Sequence, residues 1–105
     1  MTWTDLYTTV FGPTGTSSCN KTGGCHITTQ SGFKCGTTKT SCYNGLVAVG
    51  MINPGPHASA SKLVDPNQSP LCGSLGGGMP KFGTCINAAE LADLKSWLAS
   101  GAADD

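Results

Sequence analysis

A small all-α domain with long loops is the fold class this sequence predicts, on three observations. The two segments with clear periodicity, at about residues 4–11 and 88–100, are both helical. Fifteen glycines and six prolines in 105 residues predict short elements with much irregular chain between them. Six cysteines offer cross-links to a single domain, residues 1–105, whose hydrophobic content of 38% supports only a modest core.

The first helix is TDLYTTVF, with Trp3, Leu6, Tyr7 and Val10 spaced to share one side. Thr2 or Thr4 can cap it, Asp5 suits its first turn, and Gly12-Pro13 ends it. Its β-branched threonines make it weak in isolation, so packing must hold it. The second helix is better marked. Asn87 stands at the cap, Glu90 occupies the capping-box position, and Gly101 is a natural stop. Leu91, Leu94, Trp97 and Leu98 form an apolar stripe that must bury against another helix or a large flat surface.

About 75 mostly irregular residues lie between the helices. YNGLVAVGMIN, residues 43–53, reads equally as a buried strand or a short helix, and a brief helix is predicted around 59–64. LGGGMP and its flanking prolines read as loop. So little regular structure leaves the central loops with few partners, a shortage that disulfides or a large apolar cofactor would fill.

Charge narrows the partners. Six Lys+Arg balance six Asp+Glu, and no basic face or arm is present, which argues against nucleic acid or an anionic membrane. No apolar run approaches a membrane-spanning length, so no membrane insertion is expected of this segment. Six cysteines point to an oxidising compartment: periplasm, cell surface or extracellular space. MTWTDLYTTV lacks the basic start and long apolar run of a signal peptide, so an export signal is expected outside the given chain.

The chemistry centres on CNKTGGCH, residues 19–26. A Cys-His dipeptide with a second cysteine just upstream can hold a covalent haem, because thioether bonds fix the ring beside the imidazole that ligates its iron. Five residues separate Cys19 from Cys25, against the usual two. A disulfide loop beside an idle His26, or part of a zinc site completed by one more cysteine, is the alternative reading. A low-spin haem needs a second axial ligand, and Met79 in GGGMPKFG offers a thioether in a loop with no apolar stripe around it. Met51 sits in an apolar run and reads as core. His57 is the other histidine and the alternative distal ligand. No nucleophile–base–acid set can be assembled, and Asp5, Asp65, Glu90 and Asp93 read as capping, turn or solvated carboxylates, so no enzymatic activity is expected.

Taken in order, Cys25-His26, Pro54-Gly55, Ser59 to Leu63, Met79-Pro80 and Trp97 to Ala102 resemble the cytochrome c domains of large secreted or surface proteins of environmental bacteria. The likeness spans Trp3 to Ala102. It implies a small cytochrome c-like fold with N- and C-terminal helices, long loops, a haem-centred core and disulfides. It also implies electron transfer through one covalent haem c, with a redox partner protein or neighbouring domain. Cys19 and Cys25 would be the thioether anchors, His26 the proximal ligand and Met79 the distal one. The Pro54 carbonyl would receive the second N–H of the His26 ring, and Ser59, Ser61 and Lys62 would meet the propionates. Leu46, Val49, Ile52, Leu63, Leu75, Phe82, Leu94 and Trp97 would line the pocket.

The widened spacing leaves two points open. Cys19 could instead pair with another cysteine, leaving Cys25 the sole covalent link. Proximity favours Cys35–Cys42 and Cys72–Cys85 for the remaining four, the second bridge clasping the segment that presents Met79. The rival function is a haem-free, disulfide-stapled extracellular binding or structural module, with Cys19–Cys25 as a third bridge. A second rival is a haem enzyme or sensor with an open distal site, for which the sequence offers no distal base.

Overall fold

The structure, a computed structural model, describes residues 1–18, 33–79 and 84–105. Among them it is helical, with α1 at Trp3–Leu6, α2 at Lys39–Ala48 and α3 at Ala88–Ala99. No strand forms among the described residues, where a β-bridge pairs Leu71 with Met79 in parallel.

Thr2 caps α1. Its hydroxyl accepts from the Asp5 amide at 3.1 Å, and the Asp5 carboxylate accepts from the Thr2 amide at 3.0 Å. The Thr2 amide, and then the Thr2 hydroxyl, which donates to the same carboxylate at 2.9 Å, hold the Asp5 carboxyl below its ordinary range. Beyond Leu6 the chain widens into a π-helical turn, Tyr7–Phe11. The Thr8 and Thr9 hydroxyls donate to the Thr4 and Asp5 carbonyls, both at 2.8 Å, and this back-bonding accompanies the loosened turn. Gly12 closes the turn by donating its amide to the Tyr7 carbonyl.

The ambiguous 43–53 run resolves as helix rather than strand. Its first part belongs to α2, which begins upstream at a Thr38–Ser41 capping box, and Ile52 lies beyond the helix in the core. Gly45 lets the preceding segment cross α2: a Cβ there would stand 1.9 Å from the Lys34 carbonyl oxygen. The Cys35–Cys42 disulfide fastens that crossing, with both residues fully buried. The helix expected around 59–64 is a pair of 3₁₀ turns, Ala58–Ala60 and Lys62–Val64.

α3 follows its sequence signals closely. Asn87 Oδ1 accepts from the Glu90 amide at 2.8 Å, and the Glu90 carboxylate accepts from the Asn87 amide at 3.0 Å. Leu91, Leu94, Trp97 and Leu98 are all buried, and Gly101 takes a φ of 109° just past the end. Asn87→Ala is therefore expected to cost about 1 kcal/mol and to lower the melting temperature by roughly 4–8 °C, measurable by circular dichroism.

The terminal helices meet through aromatic rings. Trp3 on α1 lies 5.3 Å from Trp97 on α3, with Phe11 at 5.8 Å and Tyr43 of α2 at 6.0 Å from Trp3. Trp3 Nε1 donates to the Lys39 carbonyl at 2.8 Å, Trp97 Nε1 to Ala103 at 3.0 Å, and the Tyr43 hydroxyl to Ala102 at 2.8 Å. Burial, and then the Asp104 and Asp105 carboxylates, push the Tyr43 phenol up from its ordinary pKa. Around this cluster pack Leu46, Ile52, Leu63, Leu75 and Leu94, five of the apolar residues proposed for a pocket; Val49 is only half-buried. Phe82 lies outside the described residues.

Candidate haem site

Cys19, Cys25 and His26 lie outside the described residues; Met79 and Pro54 lie within them. What the structure supplies is the frame on either side. Ser17 is buried, and its hydroxyl donates to the Thr84 carbonyl at 2.7 Å, while its amide donates to Val10 at 2.9 Å. Ser17, two residues before Cys19 in sequence, is thus joined to Thr84, the residue before Cys85. Thr16 adds a hydrogen bond from its hydroxyl to the Glu90 carboxylate at the start of α3.

Met79 is held by its backbone from both directions. Its amide donates to Pro70 and its carbonyl accepts from Cys72, each at 2.7 Å. The Cys72–Cys85 disulfide closes the loop around it, the pairing expected from proximity. Gly77 makes this register possible, because a Cβ there would stand 2.3 Å from the Pro70 carbonyl oxygen; its amide donates to Leu71 at 2.8 Å. Gly76 contributes a φ of 79°. Gly77 thus serves the chain's own close approach and Gly76 its turn, whereas a Cβ on Gly78 would meet open space. The Met79 side chain is half-buried and, among the described residues, is not one of those packed against the apolar core, unlike Met51.

Pro54 is exposed, and no described residue donates to its carbonyl. The next residue, Gly55, has a φ of 118° and donates to the Gly101 carbonyl at 2.8 Å, so the Pro-Gly segment is fixed to the end of α3. Of the residues considered for propionates, Ser61 is committed elsewhere. It is 1% exposed, donates its hydroxyl to Ala58, and accepts from the Asn53 amide. Ser59 and Lys62 are exposed, as is His57. A surface hollow of about 320 Å³ lined by Ser59, Val64, Lys95 and Leu98 contains none of the candidate iron ligands.

The disulfides settle part of the cysteine problem. Cys35, Cys42, Cys72 and Cys85 are paired with one another, so Cys19 and Cys25 have only each other or a non-cysteine partner. A zinc site of Cys19, Cys25 and His26 consequently lacks a fourth cysteine thiolate. Among the described residues no cluster of three His, Cys, Asp or Glu side chains exists.

Two described features bear on whether a haem would fit. The thioether at Met79 is presented outside the core, and Ser18 Oγ, beside Cys19, is a buried oxygen without a hydrogen-bond partner among the described residues. Ser17, Ser18 and Thr84 were not singled out from the sequence, and only adjacency to Cys19 and Cys85 could have drawn attention to them. No protein-family model, curated protein or solved structure matches the chain.

Proposed function

We propose that the chain is a monohaem c-type cytochrome that transfers electrons, with haem c bonded through Cys19 and Cys25 and its iron held by His26 and Met79. The observation that carries this reading is Met79 itself: a half-buried thioether, clamped through its own backbone and excluded from the apolar core. Such a side chain adds little to packing, whereas an axial ligand needs this kind of fixed presentation. The Ser17–Thr84 hydrogen bond supports it by joining the stretch just before Cys19 in sequence to the end of the Cys72–Cys85 loop that carries Met79.

Haem, when bound, supplies one iron that alternates between ferric and ferrous states. The chain's part is positional. His26 and Met79 would set the potential, and the Pro54 carbonyl would orient the imidazole by accepting its second N–H. Two disulfides fit a protein of an oxidising compartment. Among the described residues no helix is long and apolar enough to cross a membrane. A redox partner protein or neighbouring domain is the implied associate, and near-zero net charge implies weak electrostatic steering toward it.

The test is expression in a host with a haem-attachment system, followed by reduction with dithionite. A sharp α-band and haem mass retained on the denatured chain are expected. A colourless protein from a competent host would overturn the reading. Mass mapping that then found Cys19 joined to Cys25 would establish the haem-free, triply bridged module instead.

A further inference from the structure

The two disulfides differ in a way that the fold alone does not require. Cys35 and Cys42 are each 0% exposed, the second on α2 itself. Cys72 and Cys85 are both partly exposed. Thiol–disulfide exchange needs access for an attacking thiolate, and accessible bridges are the labile ones. The accessible bridge is also the one that holds the Met79 loop. The Cys72 amide donates directly to the Met79 carbonyl, and Met79 in turn donates to Pro70. Beyond this two-residue ladder, the described part of the loop is anchored through its backbone by the Gly77–Leu71 hydrogen bond, the Gly76 turn and the Ser17 hydroxyl on the Thr84 carbonyl.

We propose that Cys72–Cys85 is a reducible clasp: opening it frees Met79 and turns the distal face of the haem into a site for a small neutral ligand such as carbon monoxide. The inference rests on the cytochrome reading for its haem consequence, but the clasp itself is testable without haem. The reductant is a dithiol. One of its thiolates attacks a sulfur of the bridge, the S–S bond breaks, and the departing sulfur leaves as a thiolate that takes up a proton. The second thiol of the reductant then displaces the mixed disulfide. Cys72 and Cys85 end as thiols, having gained two electrons and two protons, and the dithiol ends as its cyclic disulfide. With the bridge open, the loop regains the chain freedom that the 13-residue closure had removed.

The experiment treats the full chain with graded dithiothreitol, traps free thiols with N-ethylmaleimide, and maps them by mass spectrometry. The trapped protein is re-oxidised with ferricyanide before its spectrum is read. Labels are expected at Cys72 and Cys85 at reductant levels that leave Cys35 and Cys42 unlabelled. The sulfur-to-iron charge-transfer band should fall in proportion to that label, and the ferrous labelled protein should bind carbon monoxide. Amide exchange at Cys72 and Met79 should quicken on the order of a hundredfold. The double variant C72S/C85S should show the same carbon monoxide binding with no reductant present. Labelling of Cys35 and Cys42 first or together with the other pair overturns the proposal. So does full labelling of Cys72 and Cys85 with an unchanged band. A chain that carries no haem fails the cytochrome reading instead, and there the labelling order and the amide exchange still decide the clasp.

Discussion

Met79→Ala is expected to abolish the sulfur-to-iron charge-transfer band of the oxidised protein while leaving haem covalently attached. Removing the thioether should lower the reduction potential by on the order of 0.1 V or more, within the roughly 0.8 V over which axial ligands tune haem. The ferrous variant should bind carbon monoxide. Folding should be little changed, because among the described residues the side chain is not one of those packed on the core, and the loop is held through the Met79 backbone. Spectroelectrochemistry together with a urea titration separates the two effects. An unchanged band would place the distal ligand elsewhere, and His57, exposed three residues beyond Pro54, is the next residue to replace.

Trp97→Ala has the opposite profile, a large loss of stability that originates away from the ligand loops. Trp97 is 1% exposed, lies against Trp3 at 5.3 Å and Tyr43 at 6.3 Å, and hydrogen-bonds the Ala103 carbonyl. Truncation removes a large buried surface and opens a cavity between α1 and α3, at an expected cost of about 3–5 kcal/mol. Domains of this kind hold only about 5–15 kcal/mol in total, so a large fall in the urea midpoint is expected. Trp97→Phe, which keeps a ring against Trp3, should recover more than half of the loss. Equal midpoints for the two variants would show that ring packing is not what holds the terminal helices together.

Helix α3 was legible because its signals are local. Asn87, Glu90, the leucine stripe and Gly101 each act within a turn or so of their own position. Most of the first helix was legible too, but its π-helical turn depends on threonine hydroxyls returning to specific carbonyls, which spacing does not reveal. Helix α2 was harder, since only Cys42 and Leu46 are buried along it and no apolar stripe announces it. Its place is set by a disulfide and by the crossing at Gly45, both products of tertiary structure. The same holds at the candidate site. Met79 was recognisable as a thioether in a glycine-rich loop, and Cys72–Cys85 was predicted by proximity. Its ladder to Pro70 and Cys72, and the Ser17–Thr84 contact, arise from pairings between segments that carry no mark in either sequence alone.

Three polar aromatic groups of the core share a property with a bearing on how this fold can diverge. Trp3, Trp97 and Tyr43 each direct their N–H or O–H to a main-chain carbonyl, at Lys39, Ala103 and Ala102. A carbonyl survives any substitution that preserves the path of the chain. The side chains at Lys39 and Ala103 can therefore drift without disturbing the ring cluster, whereas Ala102, buried at a φ of 55°, is confined to a small residue. Related chains should keep the three rings and a small residue at 102 while the residues that accept from them vary, an imprint that pairwise covariation would overlook.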